Sequence, residues 1–555
     1  MCTTMIVTRG ANVDGSMIVT HSDDDELSDQ RLIFVPAATH RKDSKRQIMK
    51  EDYPFPRMVT DKRGPGYNTP GWPSTKPIGS IPQVKHTYAY FDGNYGIMNE
   101  HNLMMGECTN GANYEPEFVS KEQAKKEKRA MRLFYSSELS RIALERCKNA
   151  RQAVELMGKL IDQYGYYSTG ETLLVADQQE AWVFEMCALP DEQYHSAWVA
   201  QKVPDGDVFV AANTFRIRVI NKDNEDQLFS KHLFPGTKKI GWWRPEEGDL
   251  DWLQTVSPGE YAHPYYSLRR IWRIFDRINP DLGLSPWVTD TYTTYYPFSL
   301  KPKSKIKLEQ IFDLYRDHYE GTEFDLTKGI AAGPYGDPHR FVGPYDGNQN
   351  DNSEASGYGA WERAISVYYQ GYTFVCQARA ADVNIPSVAN GILWFAPDVS
   401  YTSVFVPFYA NSSDLPWSFQ NGNTRTFDRE SAWWVFDFVA NWARLNFQRI
   451  CNVDIVPLQK KLEARAFDNV AKTDRKILAR PDHAVEIATQ FGIEHAGEVL
   501  ENWWHLAELL IAKYSDGYIN KPAMDREYAV DIGYPAHWLA STNYYQGPIS
   551  YRMKP

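Results

Sequence analysis

No stretch of this 555-residue chain approaches the roughly 20 consecutive apolar residues that a bilayer-spanning helix needs, so a membrane partner is not expected. Cysteine is sparse: Cys2, Cys108, Cys147, Cys187, Cys376 and Cys451 are far apart and form no Cys-x-x-Cys pair, which argues against a disulfide framework and against zinc-type spacing. There is no HExxH, no GxSxG and no Walker loop, so metal-dependent hydrolysis, a serine elbow and nucleotide chemistry have no motif to stand on. No metal and no cofactor are expected. A net charge of -11 leaves no basic stripe for phosphates, and the runs Lys121 to Arg132 and Lys301 to Lys307 read as solvated faces, so nucleic acid is not an expected partner. Polar Thr3, Thr4, Thr8, Arg9 and Asn12 interrupt any signal-peptide core. With Met1 as the true start, the expected location is cytoplasmic.

Linker composition is also missing. No Gly/Ser, Pro-rich or single-charge tract divides the chain, and no repeat of fixed period occurs, so a single large domain over residues 1–555 is expected. At 43% hydrophobic residues it has ample material for a core. Thr3 to Thr8 and Ser16 to His21 are β-rich around an Asp14-Gly15 turn and predict an opening hairpin. Residues near 36–82, polar and rich in Pro, Gly and Lys, predict a long surface excursion. Strands are expected at His86 to Phe91, Tyr95 to Met98, Leu103 to Gly106, Glu171 to Ala176, Ala181 to Cys187, Ser196 to Lys202 and Val208 to Ala212, with two more between Ile392 and Phe408. Ser120 with Gln123 forms a capping box, and apolar positions from Leu139 to Leu160 trace one helical face ended by Gly165. Residues near 430–515 carry helical embellishments. Strands and helices grouped in blocks predict an α+β fold, not a doubly wound sheet.

Cys2 holds the most reactive position. Removal of Met1 would give one residue both a thiol and a free α-amine, whose pKa near 7.7 to 8.0 lets it take the thiol proton at neutral pH. The competing reading is a small buried hydrophobe on a strand. The acidic run Asp23-Asp24-Asp25-Glu26 offers carboxylates able to orient that amine; a solvated turn or a calcium cluster competes.

The opening Cys2-Thr3-Thr4, the segment Gly10-Ala11-Asn12-Val13-Asp14-Gly15-Ser16 and the stretch His21-Ser22-Asp23-Asp24-Asp25 resemble the start of the PepD-type dipeptidases. Met98-Asn99-Glu100-His101, Gly106-Glu107, Gly170-Glu171, Ala181 to Glu185 and Gly333 to Pro338 are similar to later segments of the same family. These are cysteine N-terminal-nucleophile hydrolases, related to bile salt hydrolases, penicillin V acylases and secernins. The resemblance implies a four-layer αββα sandwich with Cys2 heading a central strand. By the resemblance, His21 and Asp24 take the places of a superfamily arginine and aspartate, so the basic member departs from the acylase pattern and Asp24 is the choice for orienting the Cys2 amine.

Asn213, at the end of Val208 to Ala212, matches an oxyanion asparagine, with a backbone N–H near Glu107 or Cys108 completing the hole; a turn-forming asparagine is the alternative. The segment Tyr265 to Arg273 matches one that brings an arginine to the site, Arg270 more closely than Arg269, to lower the thiol pKa or hold a substrate carboxylate. The expected catalytic set is Cys2, Asp24, Asn213 and Arg270. His21, Asp23 and Glu107 are expected to contact a dipeptide or small amide substrate. N-acyl amide hydrolysis and a non-hydrolytic secernin-like role are the alternatives, and a homo-oligomer is allowed without any residue arguing for it.

Overall fold

In a computed structural model of the chain, the residues described are 2–25, 29–50, 54–129, 131–190, 195–260, 266–288, 290–292, 294–340, 363–380, 385–521 and 529–543. Met1, Glu26 and Tyr265, each part of an expectation above, lie outside them, as do residues 51–53 of the excursion. Six strands and one helix position the site: β1 (Cys2–Val7), β2 (Met17–Asp23), β3 (Met104–Asn110), β4 (Gly170–Ala176), β5 (Val208–Ala211), β6 (Tyr372–Ala378) and α1 (Leu268–Ile278).

The opening hairpin forms as its sequence predicts. Gly15 adopts φ +73°, a left-handed conformation that glycine enters without a Cβ penalty, and turns β1 back onto β2 in a register that sets Cys2 opposite Asp23 and Thr4 opposite His21. Around this hairpin, among the described residues, runs a seven-stranded antiparallel sheet in the order Ser299–Leu300, β5, β1, β2, β6, Gly391–Pro397, Val406–Tyr409. A second sheet of eight strands is ordered Gln227–Phe229, Ser196–Lys202, Ala181–Ala188, β4, β3, Gly96–Asn99, Tyr90–Asp92, Ile33–Val35.

Alternation along the strands sorts side chains into layers. Cys2, Ile6, Met17, Val19, Phe374 and Cys376 point into the gap between the sheets, where they meet Cys108, Leu174, Val183 and Val199. Met5, Val7, Ile18, Val208 and Val210 point the other way, onto Leu268, Ile271 and Phe275 of α1 and the helices beyond. The outer face of the second sheet is covered by helices Ser136–Arg146 and Ala150–Tyr164, through Leu139, Ile142, Val154 and Met157. Four layers result, in the order αββα, and the α+β expectation holds.

Two local differences have physical causes. The face expected as one helix from Leu139 to Leu160 is two helices, because Asn149 accepts from the Gln152 N–H at 3.0 Å and starts a new one. The excursion at 36–82 is more ordered than a loop: Lys45–Met49 pairs with Pro77–Pro82, and Ala38–Thr39 with His86–Thr87. Its prolines read as breakers, yet Pro77 and Pro82 sit in a two-stranded ribbon, where edge positions tolerate them. The C-terminal helices Ala432–Ala443, Val456–Ala479 and Ala484–Lys513 fall where their periodicity predicts. No helix among the described residues is long and apolar enough to cross a membrane.

Candidate active site

Cys2 begins β1, next to the end of β5, and its side chain enters the gap between the sheets with 2% exposure. There its Sγ donates to Oε2 of Glu107 on the facing sheet at 3.1 Å. Burial and the Glu107 charge push the thiol well above its ordinary pKa, so in this arrangement it holds its proton. Glu107 is one of two adjacent buried carboxylates. Thr109 Oγ1 lies 2.8 Å from Glu107 Oε1 and 3.2 Å from Glu171 Oε1, and Tyr135 donates to Glu171 at 2.8 Å. Burial works against ionising Glu107, but the hydrogen bond from Glu171 and the nearby His21 outweigh it and hold Glu107 below the usual carboxylate range. Burial and the Glu107 charge send Glu171 the other way, well above it. The pair therefore shares one proton, carried by Glu171.

Asn213 follows β5 in a left-handed conformation, φ +61°, which asparagine tolerates better than most residues. Its amide orientation is fixed by its neighbours. Arg270 can only donate, and reaches Oδ1 at 2.7 Å, while Nδ2 donates to the Thr109 carbonyl at 2.7 Å. Oδ1 also accepts from the Cys2 N–H at 3.3 Å.

Arg270 sits on α1 with no exposed surface. Its N–H groups reach the carbonyls of Tyr266, Cys2 and Ala212, Thr3 Oγ1 and Asn213 Oδ1, at 2.7 to 3.4 Å. All five guanidinium hydrogens are thus engaged, four of them in clamping β1 to the end of β5, and none remains for a substrate carboxylate. Arg269 does not reach this cluster; its guanidinium stacks 3.5 Å from the Phe324 ring centroid.

His21 and Asp23 share the inter-sheet face of β2 with Cys2, and ligating atoms of all three lie within 4.8 Å of one another. The imidazole Nδ1 is 2.8 Å from the Glu107 carbonyl and 3.2 Å from its N–H; the closer contact belongs to the tautomer in which Nδ1–H donates to the carbonyl. Its ring packs on Phe374 with centroids 5.3 Å apart. Asp23 accepts from Asn94 Nδ2, and burial raises its pKa.

Asp24 goes elsewhere. It is bonded to Ser22 at 3.2 Å and ion-paired with Arg363, both completely or almost completely buried. Ser22 is two residues back and so on the face opposite His21 and Asp23. The carboxylates gathered at the thiol are Asp23 and Glu107, and the sequence-based choice of Asp24 to orient the amine does not coincide with that grouping. Asp24 lies one residue beyond the end of β2, where its carboxylate turns to Ser22 and Arg363.

Sequence reasoning singled out neither Arg57 nor strand β6. Arg57, from the excursion, is buried with its guanidinium 4.7 Å from the Tyr95 ring centroid and feels the charge of Asp23. Strand β6 pairs with β2 along its whole length, Tyr372 opposite Asp23. Its Tyr-Thr-Phe-Val run after Gly371 was the available signal.

The class of the protein is peptidase. The chain belongs to peptidase family C69, whose family model matches residues 1–456. It is 22% identical over 490 residues to a probable dipeptidase of Latilactobacillus sakei, covering 88% of this chain and 90% of that one. A probable dipeptidase of Salmonella dublin is 24% identical over 74% of this chain and 80% of its own. A dipeptidase of Bifidobacterium longum is 24% identical over 64% of this chain and 62% of its own. These likenesses bear out the resemblance to PepD-type dipeptidases.

Proposed function

We propose that this peptidase is a dipeptidase that works through Cys2 as an N-terminal nucleophile once Met1 is removed. The observation that carries the reading is Cys2 at the head of a central strand, its thiol on Glu107 in the gap between the sheets and its N–H on Asn213. The relatives' names support the substrate class.

In the first half-reaction the free α-amine of Cys2 takes the thiol proton and Sγ attacks the peptide carbonyl. Negative charge on the carbonyl oxygen meets Asn213, whose Nδ2 has a second hydrogen beyond the one given to Thr109, and a backbone N–H at Glu107 or Cys108. Collapse breaks the C–N bond, and the Cys2 ammonium returns its proton to the leaving amine. Water then adds to the thioester, giving up a proton to the same amine, and the acid leaves as Sγ regains its proton. Ionised Glu107, with Asp23 beside it, suits the ammonium of a free dipeptide. With Arg270 fully engaged, its part is to fix the ends of β1 and β5, and Asp24 with Arg363 buttresses the end of β2 that faces Cys2. The six cysteines are unpaired and buried, which fits a reducing compartment, and we place the protein in the cytoplasm.

The aromatic rings of Phe374, Tyr95 and Tyr372 around His21 favour, as a second reading, an N-acyl amide with its chain on that wall. The test is intact mass and N-terminal sequencing of purified protein, with turnover of a mixed dipeptide panel and of the same peptides N-acylated. Loss of Met1 and cleavage of free dipeptides, abolished in Cys2→Ala, is expected. Cleavage of the acylated set alone would favour the second reading, and retained Met1 with no turnover would leave a non-hydrolytic protein.

A further inference from the structure

We infer that Cys2, His21 and Asp23 form a binding site for a thiophilic divalent cation, zinc above all, and that its occupation reversibly silences the peptidase. The silencing rests on the role proposed for Cys2; the binding does not.

The donor set is the starting point. Sulfur, imidazole nitrogen and carboxylate oxygen are the three side-chain ligand types of protein zinc sites, and here they converge within 4.8 Å of one another, each residue at most 3% exposed. Zinc bonds of about 2.3 Å to sulfur and about 2.0 to 2.2 Å to nitrogen and oxygen require side-chain movements of roughly 1 Å to close on an ion. All three belong to β1 and β2, paired in register, so the backbone holds them at fixed separations.

A second observation points to a ligand independently. Among the described residues His21 Nε2 is buried without a hydrogen-bond partner, and in the tautomer whose Nδ1–H donates to the Glu107 carbonyl at 2.8 Å it is a bare lone pair. A histidine whose other nitrogen donates to a backbone carbonyl is the arrangement that orients metal-binding imidazoles and raises their basicity. An orphaned buried acceptor carries a cost that a cation relieves.

Removal of Met1 adds a fourth donor. The α-amine and thiolate of one cysteine close a five-membered chelate ring, so a processed chain offers S, N, N and O to a tetrahedral ion. On binding, the thiol proton leaves to solvent, Sγ forms a bond to the ion, and the sulfur lone pair needed to attack a carbonyl is no longer available. Glu107, ionised and 3.1 Å from Sγ, adds negative charge next to the site.

The test uses the full-length protein with its N-terminus verified, titrated with zinc chloride in a non-chelating buffer and followed by displacement from a chromophoric chelator. Cobalt is substituted in parallel to read the sulfur-to-metal charge-transfer absorption. A single equivalent is expected to bind at micromolar concentration. The charge-transfer band should vanish in Cys2→Ala, and affinity should fall by about 10- to 100-fold in Asp23→Asn and in His21→Gln, whose amide keeps a donor for the Glu107 carbonyl. Dipeptide turnover should be lost with zinc and restored by EDTA. Absence of a bound equivalent, or binding unchanged in Cys2→Ala, would overturn the proposal. A bound equivalent in a chain that cleaves no dipeptide even when metal-free would leave the site standing and remove the dipeptidase reading instead.

Discussion

Cys2 and Glu107 belong to different sheets, and the 3.1 Å contact between Sγ and Oε2 joins those sheets at the site. The thiol is supplied by the opening hairpin and its carboxylate by a strand about a hundred residues further on, so whatever sets the sheet separation also sets the chemistry.

Replacing Glu107 by Gln removes that charge and keeps the shape. On the proposal that Glu107 receives the substrate ammonium, a charge-assisted hydrogen bond worth roughly 1.5–3 kcal/mol is lost, so kcat/KM for free dipeptides should fall by about 10- to 100-fold. Because the Glu107 charge disfavours the thiolate, iodoacetamide should alkylate Cys2 faster in the variant at neutral pH. Slower alkylation would contradict this account of the thiol's environment.

Gly106 tests the spacing itself. A Cβ there would lie 2.7 Å from Thr4 Oγ1 and 2.9 Å from the Thr20 carbonyl, on the other sheet. Gly106→Ala should cost about 1–3 kcal/mol by overpacking and depress kcat, because it displaces Glu107 from Cys2. Gly497 is the contrast: it lies in the helix Ala484–Lys513, and an added Cβ would meet nothing within 4 Å. Gly497→Ala should raise thermal stability by roughly 0.5–1 kcal/mol and leave kcat unchanged.

Arg270→Lys keeps the charge but offers three rotatable donors in place of a five-donor fork. Carbonyls among Cys2, Tyr266 and Ala212 then lose their partners, at roughly 1–3 kcal/mol each when buried. Thermal unfolding should show the loss, and kcat should fall more than KM rises, since Arg270 holds Cys2 and Asn213 and not the substrate.

Stability should also decline as pH rises from about 4.5 to 8. Burial raises Glu260 to about 7 and Glu185 to about 8, above their values in an unfolded chain. A carboxyl with a raised folded pKa contributes its full stability below the unfolded pKa and loses it as pH climbs through the folded one. Glu260 accepts the N–H groups of Ser267 and Leu268 at the start of α1, the helix that carries Arg270. Glu260→Gln should flatten the curve between about pH 4.5 and 7 and leave the Glu185 slope, which runs on to about pH 8, as read by melting temperature across buffers.

Much of this was legible in the sequence. The hairpin, the strand block from Glu171 to Ala212 and the C-terminal helices follow from residue type, period and turn chemistry. Strand β6 is buried on both faces, as β1 and β2 are, but unlike them it has no Asp-Gly turn joining it to a partner, so its Tyr-Thr-Phe-Val run escaped notice. At the site, Cys2, Asn213, Arg270, His21, Asp23 and Glu107 gather together, while Asp24, one residue past the end of β2, is held by Ser22 and Arg363. Arg57 and Glu171 could not be assigned to the cluster beforehand, because only the stacking of the sheets brings either of them near Cys2.

Division of the site between two sheets has a consequence for the newborn chain. Synthesis delivers Cys2 first, but Glu107, Asn213 and Arg270 follow in turn, and β6, which flanks β2 in the first sheet, emerges only after more than half the polypeptide has been made. Until both sheets have closed on each other the cysteine is a bare thiol on a hairpin. On the role proposed for Cys2, hydrolytic competence is thereby interlocked with completion of folding.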